Sequence, residues 1–256
     1  MLTFMEEVAR KAGEEALSYF HHVKSFRVDT KSTAKDLVST ADRAVEGAII
    51  GSIHERYPSH GVFGEESGRD HADAEYCWVI DPIDGTQSFV KGHPYFSISL
   101  ALKHRGRLVA GCVYAPALGV MFTGDEHGAF ENGEPIRVSG CSRLEEAACA
   151  TGFACVRAGL RQNNTDNFAR IVPQLRDIKR CGSAALDLCY TGAGTFDGYW
   201  EYSLAEYDVA AGALICRLAG GKVCDWRGGD DYPAHGIVAG PAAIVDQLLP
   251  QLVECH

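Results

Sequence analysis

The hexapeptide Asp81-Pro82-Ile83-Asp84-Gly85-Thr86, entered from the apolar run Trp78-Val79-Ile80, puts two carboxylates, a glycine and a hydroxyl within six residues. A short β-prone run closed by Pro and Gly predicts a buried strand that stops at Ile80, and in open α/β sheets ligands gather at the carboxyl ends of strands. Pro82 has no N–H to donate and is expected to block further pairing. Across such a turn Asp81 and Asp84 could converge on a hard divalent cation, and the Ile83 carbonyl could add a neutral oxygen ligand. Gly85 would let the backbone approach a ligand. If Thr86 opens a helix, its unpaired amides point at the same place and could hold an anion. Asp-Gly beside Pro is also an ordinary surface-turn composition, so the chemistry depends on partners elsewhere in the chain.

Three further acidic features could complete such a site. Glu65 and Glu66 lie in a Gly-bounded turn after the strand candidate Gly61-Val62-Phe63, where a carboxylate can lean over a neighbouring strand end; plain solvation of two adjacent glutamates is the alternative. Asp36 precedes an apolar pair, and Asp42 follows six residues later in what reads as the opening of a helix, where acidic side chains also suit capping and the helix dipole. Asp208 opens Asp208-Val209-Ala210-Ala211-Gly212, a helix dense in small residues that would pack closely and carry the carboxylate inward, although N-capping explains the same residue.

The elements that must position these groups follow from periodicity. Apolar positions at helical spacing predict helices over Thr3 to Phe20 and Leu37 to Tyr57, joined by a polar linker. Alternating patterns over Phe96 to Leu102, Leu108 to Tyr114 and Val120 to Phe122, with Glu131-Asn132-Gly133-Glu134 as a hairpin turn, predict a meandering antiparallel sheet. After Cys141, short apolar strands alternate with helical patterns over Asp166 to Leu175, Ala184 to Gly192, Asp208 to Leu218 and Ala242 to Val253. We therefore expect an α+β half over residues 1–140 carrying most of the acidic site, and an α/β half over 141–256 carrying Asp208.

A length of 256 residues with 46% apolar content allows a large core. The net charge of -10, without a basic cluster, argues against nucleic acid as a partner. No apolar run reaches membrane-spanning length and the first helix carries Glu6, Glu7, Glu14 and Glu15, so a cytoplasmic location is expected. The ten cysteines form no Cys-x-x-Cys pair and sit among apolar neighbours, which reads as reduced core thiols and not as a zinc site.

Taken together, and in this order along the chain from Lys31 to Trp226, these motifs resemble the inositol monophosphatase family of magnesium-dependent, lithium-sensitive phosphatases. The resemblance implies a layered αβαβα sandwich of the inositol monophosphatase/fructose-1,6-bisphosphatase type and a homodimer. It implies that Glu65, Asp81, Asp84, Asp208 and the Ile83 carbonyl hold two or three Mg2+ ions, with Mn2+ able to replace them. Gly85 and Thr86 would bind the phosphate, the Thr86 hydroxyl with Asp42 would orient and deprotonate the attacking water, and Asp36 would support that group. Glu201 would hold a substrate hydroxyl with Ala184 nearby, and the substrate would be inositol monophosphate or a similar small polyol or sugar phosphate. Such chemistry is reasonable for these residue types, since phosphate monoester hydrolysis needs both hydroxide and charge neutralisation.

Departures from the family pattern fall around the pocket. Ser88 replaces the usual Asn, Tyr207 the frequent Trp, and Arg217-Leu218-Ala219-Gly220-Gly221 the common Glu-Ala-Gly-Gly, which leaves fructose-1,6-bisphosphatase or another phosphatase of the superfamily as the alternative activity. The histidinol phosphatases' Trp-Gly-Asp is absent at Arg180 to Ala184. The Asp-x-x-Asp-Gly-Thr spacing differs from the Asp-x-Asp-x-Thr of haloacid dehalogenases, so direct water attack is expected in place of a phospho-aspartate. The glycines of Gly192 to Gly198 miss the dinucleotide spacing. A non-catalytic scaffold would have no use for Asp42 and Thr86, and His93 reads as a solvated loop residue rather than an acid.

Overall fold

The computed structural model describes residues 1–25, 31–71, 73–161 and 163–253, and of 23–25 and 31–38 the backbone alone. Helices α1 (Leu2–Ser25) and α2 (Lys31–Arg56) form one outer layer. Their buried stripes, Met5, Ala9, Ala12, Ala16 and Phe20 on one and Ala41, Val45, Ile49 and Ile53 on the other, recur every third or fourth residue, the spacing of one helix face.

They cover an eight-stranded sheet built from β1 (Gly61–Gly64), β2 (Gly68–Asp70), β3 (Tyr76–Asp84), β4 (Ser97–His104), β5 (Arg107–Ala115), β6 (Val120–Asp125), β7 (Gly128–Glu131) and β8 (Glu134–Pro135), with α3 (Thr86–Val90) between β3 and β4. The order is β2-β1-β3-β4-β5-β6-β7-β8; β1 and β3 run parallel and every other pair is antiparallel. Side chains alternate along the strands. Trp78, Ile80, Leu100 and Cys112 pack against α1 and α2, while Val79, Ala101 and Val113 face the opposite way.

The C-terminal part contributes β9 (Ala148–Thr151), α4 (Ala154–Arg157), α5 (Asn164–Ile171), β10 (Asp177–Lys179), α6 (Ala184–Gly192), β11 (Gly198–Glu201), α7 (Glu206–Leu218), β12 (Lys222–Cys224), β13 (Ile237–Gly240) and α8 (Ala242–Leu248). Its sheet has the order β10-β9-β11-β13-β12, parallel on the β10-β9-β11 side and antiparallel on the other. Helices α6 and α7 lie between the two sheets. Ala185, Leu186, Ala210 and Ala211 meet the first sheet, and Leu188, Val209, Ala213 and Cys216 meet Ala150, Tyr199 and Ile237 of the second. A helix buried on both sides needs small residues; a Cβ on Gly212 would lie 2.8 Å from both the Ala185 oxygen and the Leu188 Cβ. Cys149, Trp200 and Val238 point outward to Ile171, Ile244, Val245 and Leu248, so α5 and α8 close the far side. The result is the five-layer αβαβα sandwich.

Two sequence expectations are corrected. Helix α2 starts at Lys31, so Lys31 to Asp36 is helix and not linker, and Asp42 lies well inside α2 rather than at its opening. End-capping therefore does not explain Asp42. Strand β3 does not stop at Ile80. It pairs on to Asp84, with Asp81 opposite Ser99 and Asp84 opposite Ser97 and a register shift between them. Pro82 is tolerated because it sits in that bulge, where a missing N–H breaks no ladder bond.

The nine described cysteines are free thiols, most of them buried. Among the described residues no helix is long and apolar enough to cross a membrane.

Candidate metal and phosphate centre

The bulge in β3 does more than accommodate Pro82. Side chains of a regular strand alternate, so residues i and i+3 point to opposite faces. Three steps along β3 here match two along β4, and that one extra residue resets the parity between Asp81 and Asp84. One carboxylate oxygen from each of Asp81, Asp84 and Asp208 lies within 4.8 Å of the other two. Asp208 arrives from α7, where its Oδ2 also accepts the Ala205 N–H at 2.6 Å; capping and membership of the cluster coexist in one side chain. Glu65 follows β1, the parallel neighbour of β3, and its carboxyl is within hydrogen-bonding reach of Asp81.

Such crowding has an electrostatic consequence. Burial, then Glu65 and Asp84, push Asp81 well above the usual carboxylate range. Burial and Asp208 raise Asp84 to about 8, against the donors Ser183, Ala185 and Ala184 that favour its charged form. Glu65 rises to about 7 through burial and Asp208, and Asp208 rises through burial. Without a cation the cluster must hold protons at neutral pH, because four close carboxylates cannot all ionise in a poorly hydrated site. A divalent cation would replace those protons.

Behind the cluster, α2 presents Asp42 and Glu46 one turn apart. Glu46 is buried and accepts the N–H groups of Glu66 at 3.0 Å and Ser67 at 2.7 Å, which fixes the turn that carries Glu65. Asp42 Oδ1 is buried and, among the described residues, has no hydrogen-bond partner. Burial, with Glu65, Glu66 and Glu46 around it, raises Asp42 to about 7. A buried carboxylate oxygen left without a donor is costly, and a bound cation or its water shell would supply what is missing. The residues present therefore fit a divalent metal: the donors are all hard oxygens, and their protons and the orphaned oxygen are what a cation would relieve.

On the other side of the cluster, Gly85 adopts φ 95° and ψ 32° and α3 begins at Thr86. A Cβ at Gly85 would come within 2.9 Å of the Tyr95 carbonyl oxygen, so glycine is required twice over, by dihedral and by space. The Thr86 hydroxyl donates to the Ile83 carbonyl at 3.3 Å. The start of α6 turns toward Asp84, which accepts the N–H of Ala185 at 2.8 Å and of Ala184 at 3.3 Å as well as the Ser183 hydroxyl. Glu201, at the end of β11, is buried and accepts the Tyr199 hydroxyl at 2.8 Å and the Ala154 N–H at 3.1 Å; burial raises its pKa.

Glu65, Asp81, Asp84, Gly85, Thr86, Ala184, Glu201 and Asp208 all line one cleft of about 450 Å³. Of the other residues singled out in the sequence, Ile83 is fully buried beneath the cleft and Asp42 lies behind it. Asp36 lies in α2 with its side chain outside the described residues. Residues of the site that were missed include Glu46, Ser183, which donates to Asp84, and Arg157 and Arg180, which also line the cleft. Glu46 had a signal, since it follows Asp42 by four residues and borders the apolar stripe of Ala41, Val45 and Ile49. The arginines had none, because neither belongs to a local pattern.

The family model described as "Inositol monophosphatase family" matches residues 1–256. The chain is 40% identical to the Nus factor SuhB of Pseudomonas aeruginosa over 97% of its length and 94% of that protein's. It is 37% identical to the inositol-1-monophosphatase of Mesorhizobium japonicum, with the same shares covered. Among solved structures, the extragenic suppressor protein SuhB from Bartonella henselae superposes with a TM-score of 0.85 at 34% identity over 98% of both chains. The IMPase of Thermotoga maritima does so at 0.84 and 34% identity over 98% of this chain and 95% of that one. A full-length family match and relatives of this closeness place the chain in the inositol monophosphatase family.

Proposed function

We propose that this protein is a magnesium-dependent phosphate monoester hydrolase that acts on inositol monophosphate or a similar small polyol phosphate by direct attack of water. The observation that carries the reading is the convergence of Glu65, Asp81, Asp84 and Asp208, from three separate segments of chain, on one cleft beside a glycine and a helix start. These four carboxylates and the Ile83 carbonyl would hold two or three Mg2+ ions, with Mn2+ a workable substitute. When bound, the metal supplies charge neutralisation at the phosphoryl oxygens and makes hydroxide accessible at neutral pH.

The chain's own residues supply the rest. The amides of Gly85 and Thr86, at the start of α3 where no side chain caps the helix, would meet the phosphoryl oxygens. The Thr86 hydroxyl spends its proton on Ile83, so its lone pairs are left to accept a hydrogen from water and orient it. Asp42, raised to about 7, takes the water's proton, and Asp36 would support that group. Glu201 and Ala184 meet the polyol, with the cleft opening between a half ending near residue 140 and the half that follows. A cytoplasmic homodimer belongs to the same reading.

Relatives at up to 40% identity named Nus factor SuhB favour a second reading, in which the chain works as a Nus factor with or without turnover. Phosphate release from inositol, fructose, glycerol, adenosine and histidinol phosphates, with magnesium, with added lithium and with chelator, tests the first reading. Magnesium-dependent release led by inositol monophosphate is expected. No release from any ester at saturating magnesium would leave the second reading.

A further inference from the structure

Backbone conformation singles out one more residue of the cleft. Among the described residues, four that are not glycine have positive φ: His71, Arg105, Asn132 and Ser203. Arg105 and Asn132 sit in the hairpins between β4 and β5 and between β7 and β8, each followed by a glycine of positive φ, the pairing that a tight hairpin turn demands; His71 is exposed just after β2. Ser203 has no such reason. It lies between β11 and α7 at φ 67°, a conformation that glycine takes freely and that strains serine, whose Cβ crowds the backbone there.

The chain on either side holds this turn in place. Tyr202, which does not line the cleft, stacks on Trp226 with ring centroids 4.9 Å apart, and Leu204 packs against the cluster that contains Leu188 and Val209. Ser203, between these two anchors, is half-buried and lines the cleft with Glu201 and Asp208. Among the described residues its hydroxyl makes no hydrogen bond, so no contact within the chain explains a serine where glycine would fit unstrained. A strained residue of this kind persists where its surroundings hold it, and such residues gather at binding sites. Glu201, meanwhile, has little freedom to follow a polyol. Its Oε1 accepts the Ala154 N–H, its Oε2 accepts the Tyr199 hydroxyl, and a Cβ on Gly152 would collide with its carboxyl group. The Ser203 hydroxyl can rotate, and it donates as well as accepts.

We propose that Ser203 is a specificity-determining residue: its hydroxyl meets a free hydroxyl of the substrate, so that the cleft selects phosphate esters of polyhydroxylated alcohols over plain alkyl phosphates. The proposal rests on the phosphatase reading above and adds to it a residue that reads the polyol beside Glu201.

Matched substrate pairs test it. Turnover of inositol monophosphate is compared with that of cyclohexyl phosphate, and turnover of glycerol 3-phosphate with that of propyl phosphate; each pair differs only in the hydroxyls of the alcohol. The unaltered protein should prefer the polyol member of at least one pair. In Ser203→Gly and in Ser203→Ala that preference in kcat/KM should shrink about 3- to 10-fold, the worth of one neutral hydrogen bond, mainly through KM, while the alkyl member changes by less than about twofold. The glycine variant relieves the turn and the alanine variant keeps it strained, so the two share only the missing hydroxyl. No preference within either pair, an equal loss on both members, or a preference left unchanged in either variant would overturn the proposal. If no ester is hydrolysed the phosphatase reading fails, and calorimetric titration of the same pairs into magnesium-loaded protein decides this one. Tighter binding of the polyol member that Ser203→Ala reduces severalfold sustains it; equal binding, no binding, or a difference that Ser203→Ala leaves intact overturns it.

Discussion

Two groups of buried aspartates divide the work of this molecule. Asp225, after β12, is buried, yet it accepts the backbone N–H groups of Arg227 and Gly229 at 2.8 Å each and of Asp231 at 3.1 Å. Burial alone would raise its pKa, but those three donors outweigh it and hold the carboxyl below the usual range. Asp81 accepts the Ile83 N–H, at 3.0 Å, and faces Glu65, Asp84 and Asp208, so it is pushed upward. The first carboxylate ties a turn together, whereas the second is held in place at a cost by β3 and its bulge. A buried charge with backbone donors is architecture. One surrounded by its own kind implies a ligand that has yet to arrive.

Replacing one residue from each group gives the largest contrast. Asp81→Asn should lower turnover of any accepted phosphate ester by about a thousandfold or more, because a weakened metal fails mainly in the transition state. Its melting temperature in chelator should be unchanged or higher, since a repulsive charge has gone. Asp225→Ala should do the reverse: turnover per folded molecule stays within about twofold, while stability falls by roughly 2 to 4 kcal/mol as three donors lose their acceptor. Equal loss of stability in both variants, read by denaturant unfolding and steady-state rates, would erase the distinction.

The pH dependence of stability should separate the groups next. Asp42 and Glu65, at about 7, and Asp84, at about 8, lie above the unfolded-chain value near 4. The folded state therefore binds protons that the unfolded chain has already released. Their stabilising contribution is complete below about pH 4 and is lost as pH rises through 7 to 8. In chelator the unfolding midpoint should fall between pH 5 and 8. Magnesium should raise it most at pH 8, where no protons need displacing. Asp225 has the opposite sign: its contribution is present above about pH 4 and lost below it, so Asp225→Ala should matter less under acid conditions. A chelated midpoint that rises from pH 5 to 8 would mean that the cluster does not repel itself.

The two groups were not equally legible in the sequence. Asp81, Asp84 and Gly85 stood out because chemistry, turn composition and strand end fell within six residues. Helix α6 matched its predicted span, since its residues are mostly apolar from Ala184 to Gly192. Pro82 misled, because a proline that ends a strand and one that sits in a bulge look alike until the partner strand is known. Asp42 looked like a cap because the apolar pattern from Leu37 concealed the polar first turn of α2. Asp225 was invisible as a structural element, since a carboxylate's donors are backbone groups that no residue letter records.

Glu46 lies between the two groups, and its replacement should have the smallest effect. Like Asp225 it accepts backbone N–H groups, here those of Glu66 and Ser67; like Asp81 it adds negative charge near Asp42 and Glu65. In Glu46→Gln one amide N–H keeps an acceptor and the other meets an NH2 group, so the turn carrying Glu65 should loosen. If positioning dominates, half-saturation by magnesium should rise about three- to tenfold with kcat within about twofold, as when a hydrogen bond behind a metal ligand is lost. If repulsion dominates, the same measurement should show tighter binding, because the acids behind the cluster would number one fewer. The space around Gly64 favours positioning: a Cβ there would meet the Glu46 carboxyl carbon at 2.7 Å, so the chain has been kept bare at the point where Glu46 must pass to reach the turn.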